Sequence, residues 1–453
     1  MPVSNSPSDG RPASKIPSRA LSATRPELRG ISRSRIIGVA IDPAKTVHKV
    51  LVFDFNLDIL EGPFDIDALR SGWERLLAAI ERAKRLRRAQ RVVIGLEASG
   101  SYSLHLSREL SREFRYVYFF NPLSVATARK QKLLLGQKTD AIDVAVIGDL
   151  LLRGQGYPVR EPQRVYIELR ERTYWRHQRI GLIRRLKQQM IDRVGKVYPG
   201  ITARPNGAPP LVRDIDRNSL VKALIEEQLT PHQILALSPV ALRQRLMPYL
   251  GIRGRPSAKR LQTCTQNMLF GEEDVAQLEL TLLKRDLMLL RHIEEERSVV
   301  EEEMVALVRQ TPGRWLLGQI RGLSDLQVAC YIGALGDPRW FKSAKQAYSL
   351  AGLSPRQHES GVTKTRKSGV TKTGRQLLRT TLFQMAGTVA RHEPIFRGYL
   401  ERLYHVRKKH YRTAQIATAN KLNRTLIALM ASRQPFRRGE RPIKKGATEP
   451  VLG

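Results

Sequence analysis

Residues 36–42 read IIGVAID and residues 91–97 read RVVIGLE, and the fold is decided by these two stretches. Each is a short apolar run of the kind that fills the middle of a sheet covered on both faces. Each then ends on an acid, Asp42 in the first and Glu97 in the second. An acid at the end of a buried strand is unusual. Two such strands could bring their carboxylates to one sheet edge, where a divalent cation would relieve their repulsion. Two further β-rich stretches, Val47 to Phe55 and Tyr116 to Phe120, flank the pair. Ahead of Arg91, the apolar positions Leu69, Trp73, Leu76, Leu77 and Ile80 recur at helical spacing. Strands interleaved with helix predict an α/β layer over residues 35–160.

Two more acids follow in KTDAIDVAVIGDLLL, residues 138–152, where Asp140 and Asp143 fall three apart. That spacing puts both carboxylates on one helix face, about one turn apart, where they can share a metal. Cys264 and Cys330 stand far apart with no CxxC, and the nine histidines show no HExxH spacing. A metal site is therefore built from carboxylates, which predicts magnesium or manganese. Asp149 fits the same face less well, and Asp54, Asp58, Asp65 and Asp67 stand in polar, turn-like sequence where solvation is expected. The two cysteines are read as buried small hydrophobes.

The 453 residues carry 78 Lys plus Arg against 42 Asp plus Glu, a formal charge of +36. A surplus of that size calls for a polyanion, and nucleic acid is the first candidate. A membrane is not expected as a partner: there is no apolar run of about 18 residues and no signal-peptide core. The expectation is a soluble cytoplasmic protein associated with the nucleoid.

Residues 1–34 are rich in Ser, Pro and Arg and read as a disordered basic leader. Residues 161–310 read as nearly all helix. There Leu280, Leu283, Leu287 and Leu290 alternate spacings of three and four, and Ile293, Val300, Met304 and Leu307 resume the stripe after one phase slip. The stripe suits a coiled coil or helical hairpin, or equally an amphipathic helix in a bundle. Its length and flanking charge predict that it brings subunits together in a dimer or tetramer. Residues 311–435 form a mostly helical C-terminal unit, and 436–453 a second basic tail.

The motifs IGVAIDPAKTVH, GLEASGSY, NPLSVATARKQ and KTDAIDVAVI, followed by IGALGDPRWFKSAKQAYSLAGLSPRQHESG and VTKTGRQLLRTTLF, resemble the transposases of insertion-sequence family one-hundred-and-ten. The resemblance covers about residues 36–160 and 315–432. It implies a RuvC-like, RNase H-fold domain on which Asp42, Glu97, Asp140 and Asp143 hold Mg2+. It also implies a C-terminal transposase domain whose nucleophile is Ser360. Arg356, Lys364, Arg366, Lys367, Lys372, Arg375 and Arg379 surround that serine as candidate nucleic-acid contacts, with Glu359 the lone acid from Pro355 to Thr381. Read by itself, a Ser before a Gly in a basic loop is a turn residue or a phosphate contact. The resemblance further implies that the serine of one subunit meets the carboxylates of another, and that a structured noncoding guide RNA pairs with donor and target DNA. One departure stands out: where the family has a Pro-Gly-Ile-Gly hairpin, this chain reads Arg321, Gly322, Leu323, Ser324.

Three readings follow. The first is an RNA-guided, serine-dependent transposase or recombinase. The second is a RuvC-like nuclease that uses water as nucleophile, or a site-specific DNA invertase of the same architecture. The third is a nonenzymatic nucleic-acid-binding protein, which the four acids argue against, because carboxylates facing DNA weaken binding.

Overall fold

A computed structural model describes residues 25, 28–98, 100–132, 140–203, 210–213, 215, 218–250, 255–341, 349–353, 359–360, 363–364, 370 and 374–437. The chain divides into two compact units, Met1–Glu161 and Pro162–Gly453.

In the first unit six strands form one mixed sheet: β1 (Ile36–Asp42), β2 (Val47–Asp54), β3 (Ile59–Asp67), β4 (Arg91–Glu97), β5 (Val117–Phe120) and β6 (Tyr157–Pro158). Their order is β3-β2-β1-β4-β5-β6. The β1–β4 and β4–β5 pairs are parallel and the others antiparallel. Among the described residues four α-helices accompany the sheet: α1 (Arg70–Arg87), α2 (Ser101–Glu113), α3 (Pro122–Lys132) and α4 (Asp140–Leu152). Strand alternation assigns the two faces. Ile37, Val39, Ile41, Ile94 and Leu96 share a core with Leu76 and Ile80 of α1 and Leu110 of α2. Ile36, Ala40 and Val93 share the other with Val125 of α3 and Val144, Ile147 and Leu151 of α4. This mixed sheet with helices is compatible with an RNase H-like domain.

The second unit is helical. A long helix α5 (Arg164–Val197) leads to α6 (Ser219–Glu226), α7 (Pro231–Ala236), α8 (Pro239–Leu250) and α9 (Arg255–Gln266), and a second long helix α10 (Glu273–Arg309) returns. Then come α11 (Pro312–Leu317), α12 (Asp325–Leu335), the two-residue strands β7 (Glu359–Ser360) and β8 (Thr363–Lys364), α13 (Gln376–His392), α14 (Pro394–Glu401) and α15 (Tyr411–Ser432). The long helices run antiparallel. Their ion pairs step in opposite directions along the two: Arg172 with Glu303, Arg176 with Glu301, Lys187 with Glu294, Arg193 with Glu279.

The hairpin carries a core at each end. Ile183, Met190 and Val194 of α5 pack with Leu280, Leu283, Leu287 and Leu290 of α10 and with α6 through α9. Tyr166 and Leu169, at the start of α5, pack with Met304 and Val308, at the end of α10, and with α11, α12, α13 and α15. The close approach of α12 to α5 needs a glycine: a Cβ on Gly333 would stand 2.1 Å from Thr173 Oγ1 and 2.6 Å from the Leu169 carbonyl oxygen.

Two expectations are corrected here. The leucine stripe expected to join subunits is buried within the chain, with Leu280 and Leu283 fully covered by the unit's own helices. The leader expected to lack structure to residue 34 packs from Arg25 onward among its described residues. The Arg25 guanidinium lies 3.7 Å from the Tyr118 ring centroid and donates to the Gln155 carbonyl, while Leu28 joins the core. Of the tail, residues 438–453 lie outside the described residues. Among the described residues no helix is long and apolar enough to cross a membrane.

Candidate active site at the sheet edge

Asp42 and Glu97 end the two central parallel strands, whose register pairs Ile41 with Leu96 and so sets the two acids side by side. Alternation also gives them one face. Asp42 has the parity of Ile36 and Ala40, and Glu97 that of Val93, so both belong to the face that α3 and α4 cover. Asp143, buried on α4, packs on that face too and receives the Arg129 guanidinium of α3 at 2.5 Å. Asp140 opens α4, one turn before Asp143. Its side chain lies outside the described residues, and among those described no three His, Cys, Asp or Glu close into a metal-holding group. The donor chemistry nevertheless fits a hard dication. All four candidates offer carboxylate oxygen, and Asp143 already holds a cation, the Arg129 guanidinium.

The surroundings of this edge are neutralised from within. Lys49, register partner of Asp42, forms an ion pair with Asp65 on β3. His48 is buried, which holds its imidazole below the ordinary histidine range, and its Nδ1 accepts a hydrogen bond from the Ala44 amide at 3.1 Å. Asp67 accepts from the Leu69 and Gly72 amides at the start of α1, and the first of these does most to lower its pKa. Asp54 corrects its expectation. Far from being solvated, it is fully buried at the end of β2, bound by Arg87 at 3.1 Å and by the Asn56 and Asp58 amides. Asp149 lines a cavity of about 560 Å³ with Ser124, Thr127, Gln131 and Arg153, and forms an ion pair with Arg153 at 2.8 Å. Cys330 is buried and Cys264 half-buried, and burial raises both thiols.

Arg129 escaped the reading of the sequence, although it stands inside the motif NPLSVATARKQ. The available signal was a cation on the helix that precedes the paired acids.

In the second unit Ser360 pairs through its backbone with Thr363 across the β7–β8 ladder, and its side chain lies outside the described residues. The same holds for the Lys364 side chain, while Arg356, Arg366, Lys367 and Lys372 lie outside altogether. Arg375 donates to the Ala334 and Leu335 carbonyls, which α12 leaves unpaired at its end, and Arg379 donates to Ala351 and Gly374. Both guanidinium groups thus hold backbone together. The departure at residues 321–324 has a local cause. Gly322 takes φ +91°, closed to most side chains, and Ser324 caps α12 in a reciprocal box with Gln327.

Two family models match the chain. A DEDD transposase model covers residues 39–199, and the model described as transposase IS116/IS110/IS902 family covers residues 315–401. Among curated proteins, a pilin gene-inverting protein of Moraxella bovis is 29% identical over 152 residues, which is 32% of this chain and 47% of that protein. Its namesake from Moraxella lacunata is 28% identical over the same length. The match spans about half the length of each of these relatives.

Proposed function

Because the chain belongs to the IS116/IS110/IS902 transposase family, we propose that it is a DNA recombinase that cuts and rejoins strands with Asp42, Glu97, Asp140, Asp143 and Ser360. The observation that carries this reading is the pairing of Asp42 with Glu97 at adjoining ends of the central strands, on the face that bears Asp143. The four acids hold magnesium, which when bound supplies positive charge against the phosphate oxygens. In the cleavage step the Ser360 Oγ–P bond forms and one backbone P–O bond breaks, its oxygen leaving as a hydroxyl that takes a proton. Rejoining reverses this with a hydroxyl from a new strand, so no external energy source is needed.

A guide RNA pairing with donor and target DNA would leave the protein to bind backbone and shape, in keeping with the charge of +36. The serine of one subunit meeting the carboxylates of another would make the active form a dimer or tetramer. Inversion of a DNA segment is a second reading, favoured by the similarity to the two Moraxella pilin gene-inverting proteins.

The deciding experiment is Ser360→Ala. The variant is expected to lose cleavage and strand exchange while keeping DNA binding, and the wild type to give a covalent protein-DNA adduct on denaturing gels. Cleavage that persists in the variant returns the chemistry to water as nucleophile.

A further inference from the structure

After α14 the chain makes a five-residue π turn, Arg402–Val406, and then a loop ending at His410, the N-cap of α15. Buried Leu403 anchors it. The Arg407 amide donates to the Arg402 carbonyl at 3.0 Å and the Lys409 amide to that of Leu403 at 3.1 Å, so the backbone is fixed. From Arg402 to Arg412 the sequence holds five Arg or Lys and two His, and no acid follows Arg402 until Glu440.

Every residue from Arg402 to Arg412 except Leu403 is exposed. Among the described residues none of the five cations has an ion-pair partner. Arg402 instead lies 5.5 Å from the Tyr399 ring centroid, and Lys421 Nζ lies 4.6 Å from the same ring. Burial first, and the charge of Arg402 second, hold Lys421 below the ordinary lysine range. The segment begins just after the transposase match ends at residue 401.

The chemistry of the patch indicates what kind of polyanion it takes. A single strand is gripped by stacking its bases on open aromatic faces. Here the exposed rings are set edge to face, Tyr404 against His405 at 4.7 Å and perpendicular to Tyr411 at 5.7 Å, so they form no parallel platform for successive bases. What remains is exposed charge carried on a hydrogen-bonded backbone turn, which contacts phosphates without reading bases. We infer that residues 402–412 form a docking surface for the phosphate backbone of duplex DNA. The inference rests on the recombinase reading only for its choice of DNA as the polyanion.

The test measures binding of the full chain to a duplex of arbitrary sequence and about 30 base pairs, by fluorescence anisotropy between roughly 50 and 200 mM salt. Arg407→Gln, Lys408→Asn and Lys409→Gln are combined, Asn being chosen because Lys408 sits at φ +48°. The slope of log affinity against log salt should flatten by about 0.9 per lost phosphate contact, hence by roughly two to three in the triple variant and about one in Lys409→Gln alone. A control triple, Arg70→Gln, Arg85→Gln and Arg88→Asn, removes the same charge from exposed positions in the first unit, Arg88 taking Asn because it sits at φ +46°. An unchanged slope overturns the proposal, and so does an equal change in the control. A change seen with single-stranded RNA but not with duplex DNA overturns the assignment of the partner. If duplex binding falls as expected in a protein that proves unable to cut DNA, the surface stands and the recombinase reading fails.

Discussion

The α5–α10 hairpin and the turn at residues 402–412 are both dense in Arg and Lys, and their charges meet opposite fates. On α5, Arg172, Arg176 and Arg193 each find a carboxylate of α10 within 2.7 Å, and Lys187 finds one at 3.1 Å. The turn has no such partner among the described residues. A net charge of +36 therefore says little about where a polyanion can bind. A cation whose counter-ion sits on the neighbouring helix is part of the packing, and only an unmatched one is available to phosphate. The sheet edge is the inverse case: Asp42 and Glu97 stand side by side at adjoining strand ends, and Asp143 on the helix over the same face meets Arg129.

The sharpest way to separate these regions is at the acids. Asp42→Asn or Glu97→Gln should lower strand cleavage about 10³-fold, on the scale of losing a transition-state charge stabiliser. Duplex affinity should stay at the wild-type value or rise slightly. Equal losses of cleavage and binding, read by a nicking assay beside anisotropy, would merge the regions that the comparison holds apart.

A smaller effect is expected at Arg129. Arg129→Gln leaves the buried Asp143 carboxylate without its cation, at a cost of about 3 kcal/mol in stability. Urea unfolding should show part of that loss restored by millimolar magnesium, and more so than in wild type, because the metal no longer competes with a guanidinium. Identical magnesium responses in the two proteins would remove Arg129 from the site.

The smallest effect tests the hairpin. Arg193→Gln breaks the contacts to Glu279 and Asp286, which are only partly exposed, and should cost about 1 kcal/mol. Its salt slope for duplex binding should match wild type. A slope that flattens would show that a neutralised cation still reaches DNA.

Much of this was legible in the chain. The apolar runs ending on Asp42 and Glu97 gave two adjoining strands, because a run too short for a helix and closed by a charge has few other ways to be buried. The edge strand β3 went unread. Its apolar positions Leu60, Phe64 and Ile66 do alternate, but Gly62, Pro63 and two acids break the run, which an edge tolerates and a central strand does not. Asp54 was misjudged because its partner, Arg87, lies on a helix 33 positions further along, and spacing along a chain carries no trace of such a contact. The leucine stripe was seen, but periodicity reports only that a face is covered, not what covers it.

The hairpin also bears on the order in which the chain can mature. Tyr166 and Leu169 share a core with residues as late as Leu429, more than 250 positions downstream. During synthesis the first turns of α5 therefore stay uncovered until the end of α10 and α12 have emerged, and their core is completed only with α15, whereas the far end of the hairpin can close once α10 is made. A ribosome stalled between these points would carry a nascent chain with one finished helical tip and one sticky base. The base is where a chaperone would be needed first.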